Sequence, residues 1–114
     1  MRTSVKRYLK ENNIETNNCL VRSSRLYEDG PPGNWWFKFD ESDLDSYQYF
    51  LFCGALGTAN KEFVLLRVPT EYLLKNKEKI DVGKNGWTLL YISKDRYCDL
   101  RSDDRLKFSQ FLEN

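Results

Sequence analysis

CLVRSSRLYEDGPPGNWWFKF, residues 19–39, contains two strand-like runs joined by a turn, with arginines on one arm and adjacent tryptophans on the other. How this stretch is read decides the fold. Glycine and proline cluster at Gly30, Pro31, Pro32 and Gly33, so Cys19–Leu26 and Asn34–Phe39 read as the arms of a β-hairpin turning through Asp29–Gly33. In the second arm Trp35, Phe37 and Phe39 alternate onto one face, while Trp36 and Lys38 point to the other. One tryptophan of the pair is therefore expected in the core.

Upstream, Thr3 or Ser4 is placed to cap a helix with Val5, Tyr8 and Leu9 on one face, and the asparagines from Asn12 onward break it. Downstream, DESDLDS (residues 40–46) suits a turn or single helical turn capped by Asp40 or Ser42. YQYFLFCGAL (47–56) is apolar on both alternating faces and reads as a central strand covered on both sides. After a turn at Gly57–Asn60, EFVLLRV (62–68) reads as its antiparallel partner. Pro69 ends that strand, and Thr70 is positioned to cap a helix reaching toward Ile80. Gly83–Gly86 precedes a strand at Trp87–Ser93, a short strand at Arg96–Leu100, and a last helix capped by Ser102 or Asp103 that offers Leu106, Phe108, Phe111 and Leu112 for packing. The expectation is one α/β (α+β) domain over residues 1–114, with a mixed, mainly antiparallel sheet of about five to six strands and helices packed on it.

Composition narrows the chemistry. The chain has no histidine, which removes Ser-His and Cys-His triads, imidazole acid–base catalysis and histidine-containing metal sites. Cys19, Cys53 and Cys98 are odd in number and form no CxxC unit, so they read as reduced, core-filling thiols rather than a disulfide frame or zinc cluster. No apolar run reaches the ~20 residues that a membrane-spanning helix needs. No hydrophobic stretch follows the basic opening segment, so no membrane partner and a cytoplasmic location are expected. Net charge is +1, but residues 1–25 carry six Lys/Arg against two Asp/Glu and residues 26–60 carry one against six. The charge is dipolar along the sequence, leaving room for a local basic face.

The succession "LVRSSR", "WWFKF", "YFLF", "RVPTEYL" and "GWTLLYI" across residues 17–114 resembles restriction-endonuclease-like, or PD-(D/E)XK, domains of bacterial and phage origin. The resemblance implies that fold and a nucleic-acid ligand. It also implies a degenerate site, because the family's ExK acid falls on Leu20 and its lysine on Arg22. Hydrolysis in that family needs carboxylates to hold a divalent ion, so no cofactor and no enzyme activity are expected, with magnesium relevant only if one of Glu15, Glu28 or Asp29 has taken over as ligand.

Two kinds of binding reading follow. In the first, Arg22, Ser24 and Arg25 contact phosphate, Lys6 and Arg7 extend the basic surface, and Trp36 with Lys38 adds stacking and charge for DNA, or alternatively RNA. In the second, the domain is a phage- or mobile-element-encoded interaction module that docks on a host nuclease or defence complex through Trp35, Asp40, Glu41, Asp43 and Asp45. Solvation of an ordinary surface accounts for each of these residues singly, and only their clustering argues for a site. A homodimer through an exposed sheet edge is compatible with either reading.

Overall fold

The computed structural model of the chain describes residues 3–28, 32–57, 62–83, 85–102 and 104–113. The turn positions Asp29–Pro31 and Thr58–Asn60, Lys84, the alternative cap Asp103 and the basic residue Arg2 lie outside them.

Helix α1 (Thr3–Glu11) opens the chain, followed by β1 (Cys19–Ser24), β2 (Leu26–Tyr27), β3 (Asn34–Asp40), β4 (Tyr49–Ala55) and β5 (Phe63–Pro69). Helix α2 (Thr70–Lys75), β6 (Asp81–Val82) and β7 (Trp87–Ser93) complete the regular elements, with short 3-10 turns at Glu41–Asp45, Lys77–Lys79 and Ser109–Phe111. The class is mixed α+β, but the strands form two sheets rather than one. The first has order β1-β4-β5 and the second β2-β3-β7-β6.

The opening stretch is where this division arises. β1 does not fold back on β3 as a long hairpin; it runs parallel to β4, with Cys19 opposite Tyr49 and Ser24 opposite Gly54. At Arg25 the chain crosses to the other sheet, and only Leu26–Tyr27 pair with β3. Ser24 makes the crossing possible. Its hydroxyl accepts the Trp36 N–H at 2.9 Å and donates to the Arg25 carbonyl at 2.7 Å, so the ladder bond lost at the switch is replaced by a side chain.

Alternation then sorts the apolar residues into two cores. Trp35, Phe37 and Phe39 of β3 meet Phe50 and Phe52 of β4, Leu66 and Val68 of β5, and Leu90 and Ile92 of β7 between the sheets. Leu51, Cys53 and Ala55 point the other way and pack with Phe63 and Leu65 under Val5 and Leu9 of α1. The order of layers is therefore helix, first sheet, second sheet. β4 is the central strand of its sheet and buried on both faces, as its continuous apolar run predicts. Gly54 is required there: the Trp35 ring lies directly over it, and a Cβ would sit 2.5 Å from ring carbons Cδ2 and Cε2.

The C-terminal helix expected from Ser102 does not form. Leu106 and Phe108 are buried while Arg105, Lys107 and Ser109 are exposed, a period-two pattern that suits extended chain. The segment makes isolated bridges, Cys98 with Lys107 and Leu66 with Leu112, the latter on the outer edge of β5. Ser102 instead closes a loop, donating to the Asp99 carbonyl and accepting the Leu106 N–H. α2 is also shorter than expected and stops at Lys75, where the Asn76 amide bonds the Tyr72 carbonyl. Pro69, not Thr70, occupies its cap position; the Thr70 hydroxyl donates to the Tyr47 carbonyl at 2.6 Å.

Candidate nucleic-acid interface

The inner face of the second sheet is core, and among the described residues the long helix, α1, packs on the first sheet instead. Antiparallel register places Trp36 opposite Tyr91, Lys38 opposite Leu89 and Asp40 opposite Trp87, with Tyr27 of β2 opposite Asn34. Because side chains alternate, Tyr27, Trp36, Lys38, Trp87 and Tyr91 all project from this face.

These residues form a continuous stack. Tyr27 and Trp36 lie with ring centroids 4.3 Å apart at 16°, and Trp36 and Tyr91 at 4.8 Å and 17°. Each end is closed by a guanidinium: Arg25 is 4.1 Å from the Tyr27 ring centre and Arg101 4.9 Å from that of Tyr91. Alongside, the Lys38 ammonium sits 4.4 Å over Trp87. Each ring pair contributes about 0.5–1.5 kcal/mol beyond area burial, and each exposed cation–π contact about 0.5–1. The Trp36 indole N–H is fixed by donating to the Asn34 side-chain Oδ1 at 2.6 Å. The ladder is thus held in place by contacts within the protein itself.

Its geometry changes what Trp36 can do. Trp36 is 43% exposed, yet both its ring faces are covered by tyrosines, so a base cannot stack on it without opening the ladder. The ring faces open to exchange are the two outer ones, now covered by Arg25 and Arg101. A guanidinium over a ring carries its N–H donors at its edge, which is how Arg combines stacking with anion recognition.

The remaining residues singled out from the sequence are distributed around the molecule. Arg22 bridges the sheets at their shared corner, its Nε donating to the Lys38 carbonyl at 3.0 Å with Asp43 at 3.8 Å. Ser24 is buried and its hydroxyl is committed to backbone groups. Lys6 and Arg7 are exposed on α1, on the far side of the first sheet from Trp36 and Lys38. Trp35 is fully buried and donates its indole N–H to the Ala55 carbonyl at 2.9 Å, so it offers no surface to a partner.

Among the acidic residues, Asp40 and Asp43 form a reciprocal cap: Asp40 accepts from the Ser42 N–H and hydroxyl, and Asp43 accepts from the Asp40 N–H. The Ser42 N–H, and then its hydroxyl, hold the Asp40 carboxyl below its ordinary range. Glu41 pairs with Lys77, while Asp45 is exposed beside Leu74 and Lys77 in a shallow cleft.

Leu20, at the position where the resemblance would place a metal ligand, packs against the inter-sheet core. Among the described residues no three Cys, Asp or Glu side chains converge as a metal site. Cys53 is pushed up to about 12 by burial, with Arg67 opposing, and Cys19 is raised by burial against the pull of Arg67. All three cysteines are free thiols.

Sequence reasoning missed Tyr27, Tyr91, Trp87 and Arg101. Alternation in WTLLYIS already put Trp87 and Tyr91 on one face; only the pairing of β7 with β3 was needed to bring them beside Trp36. Arg101 sits in an irregular segment with no periodicity to place it. Neither family models, nor curated proteins, nor solved structures give a match to this chain.

Proposed function

We propose that this domain acts by binding rather than turnover, and that it holds nucleic acid, DNA foremost, on the outer face of its four-stranded sheet. The observation that supports this most is the stack Arg25–Tyr27–Trp36–Tyr91–Arg101 with Lys38 over Trp87: cations and aromatic rings brought together on one face of the sheet. Phosphates meet the guanidinium edges, and a base takes the place of an arginine on the end face of Tyr27 or Tyr91. Such a surface suits a single strand, whose bases are free to stack, and reads little sequence. The resemblance to restriction-endonuclease-like domains agrees with this ligand class, with Leu20 and Arg22 in place of that family's metal-binding pair. The basic surface of the site is then the sheet face with Arg25 and Arg101, rather than the Arg22–Arg25 edge together with α1.

The test is a fluorescence-anisotropy titration with labelled single- and double-stranded DNA and RNA, from low to raised salt, with and without magnesium. Single-stranded DNA is expected to bind, intact, with an affinity that falls as salt rises. Replacing Arg25 and Arg101 by Gln removes two phosphate contacts and should flatten the log–log salt slope by about 1.4, at roughly 0.7 per contact for single strands. Lys6→Gln/Arg7→Gln should leave the slope unchanged. Absence of binding at low salt, or an unchanged slope in the Arg25/Arg101 variant, overturns the reading and favours a protein partner at the same face, since Trp, Tyr and Arg also dominate protein interfaces.

A further inference from the structure

A second basic feature lies at the end of β7, apart from the ladder. A half-open cavity of about 400 Å³ is bounded by Pro32, the end of β7 and the segment from Asp95 to Ser109. Its volume falls within the range of small-molecule sites. Among the described residues that line it, Arg96, Arg105 and Lys107 are exposed, against one carboxylate, Asp95. Among the described residues, none of the three cations has an ion-pair partner within 4.0 Å, and the Arg105 guanidinium donates one hydrogen bond to the Leu100 carbonyl. Pro32, Cys98 and Leu100 supply the apolar part of the lining, with Ser93 and Ser109 beside them. Two residues that shape this segment, Tyr97 and Arg105, hold left-handed φ values of 55° without being glycine. That conformation is uncommon for such side chains and persists where the surroundings impose it.

From this we infer that the cavity is a binding site for an organic phosphate monoester of nucleotide size, its phosphate at the Arg96–Arg105–Lys107 rim and its body against Pro32, Cys98 and Leu100. An apolar floor under a cationic rim matches an amphiphilic anion better than a bare inorganic ion. Guanidinium groups favour phosphate oxygens through charge-assisted, often paired, hydrogen bonds. The site stands independently of the sheet face, and its occupant is either a free nucleotide or the phosphorylated 5′ end of a strand.

Isothermal titration of the full chain with adenosine 5′-monophosphate, adenosine and inorganic phosphate tests the assignment. Adenosine 5′-monophosphate should bind saturably, and both partial ligands at least about tenfold more weakly. Arg96→Gln/Lys107→Gln should weaken the nucleotide by about tenfold or more, the loss expected when charge-assisted hydrogen bonds are removed. Arg105→Gln provides a separate variant should the pair perturb folding, which near-UV circular dichroism monitors. Lys6→Gln/Arg7→Gln, on α1 and away from the cavity, should leave nucleotide affinity unchanged. Displacement of bound nucleotide by a 5′-phosphorylated tetranucleotide, but not by its 5′-hydroxyl form, assigns the occupant to strand ends; displacement by neither assigns it to free nucleotides. Absence of saturable nucleotide binding, equal binding by the rim variants, or equal displacement by the 5′-hydroxyl oligonucleotide overturns the proposal.

Discussion

Gly54 is the position where one methyl group should cost most. It lies on β4 with its α-hydrogens facing the second sheet, and a Cβ built there stands 2.5 Å from Cδ2 and Cε2 of Trp35 and 2.8 Å from Nε1. Carbon atoms in contact are ordinarily about 3.5–4.0 Å apart, so the ring or the strand must retreat by about 1 Å. Neither has slack. Trp35 is fully buried among Phe37, Phe52 and Ile92, and its Nε1–H is bonded to the Ala55 carbonyl on the same strand as Gly54. Overpacking of this kind costs about 1–3 kcal/mol, and losing the buried indole bond adds about 1–3. Removing a strand glycine returns about 0.5–1 kcal/mol of backbone entropy. Gly54→Ala should therefore destabilise the domain by about 2–4 kcal/mol, a large part of the ~5–15 kcal/mol typical of a single domain. At this chain length that is a fall of roughly 8–16 °C in Tm. Urea unfolding followed by tryptophan fluorescence measures it, with Trp35→Phe as a second variant to close a double-mutant cycle. If the clash is the cause, the smaller ring relieves part of the Gly54→Ala penalty and the cycle shows coupling. A Gly54→Ala protein within ~0.5 kcal/mol of wild type would refute the packing of the two sheets through Trp35.

Ser24→Ala should lower stability by about 1–3 kcal/mol, because the Trp36 N–H and the Arg25 carbonyl both lose their partner at the crossing between sheets; an unaltered urea midpoint would contradict that role. Cys53 gives a pH signature. Its native pKa, about 12 against 9.0 for an ordinary thiol, means that both states are protonated below pH 9 and stability is unaffected there. Between about 9 and 12 the unfolded chain ionises while the native thiol does not, so this residue's contribution is lost by roughly 1.4 kcal/mol per pH unit. Unfolding of wild type and Cys53→Ala at pH 8, 9.5 and 10.5 should show the wild type falling faster; parallel curves would rule out a buried thiol.

The framework of this fold was legible wherever alternation and burial agreed. Phe50, Phe52, Leu51 and Cys53 announced a strand covered on both sides, and both covers exist: the second sheet over the phenylalanines and α1 over Leu51 and Cys53. The inward face of β3 was legible for the same reason, since Trp35, Phe37 and Phe39 have no polar interruption at period two. Legibility failed where one residue sends the chain elsewhere. LVRSSRLY looks like a single strand because no glycine or proline interrupts it, and nothing local says that the Ser24 hydroxyl will bond Trp36 and release the next residues to another sheet. The C-terminal segment failed differently: Leu106, Phe108, Phe111 and Leu112 satisfy a helical spacing as well as an extended one, and the bridge of Leu112 to the edge of β5 is a long-range contact that no window contains.

The same distinction governs the candidate site. Trp36 and Lys38 were placed outward by alternation alone, but their significance depends on neighbours from three other segments: Tyr27 from β2, Trp87 and Tyr91 from β7, and Arg101 beyond it. Sequence proximity grouped Arg22 with Ser24 and Arg25 and added α1, whereas the fold turns Arg22 toward Asp43, buries Ser24 and sets Lys6 and Arg7 on the opposite side of the molecule. Arg25 alone of that group reaches the ladder. The crossing at Ser24 is what separates these residues: it leaves the residues before it on the first sheet and delivers Arg25 and Tyr27 to the outer face of the second. A substitution that abolished the crossing would therefore disconnect one end of the stack while leaving Trp36, Tyr91 and Arg101 in place, so the integrity of the switch and the length of the ladder are one property of this sequence.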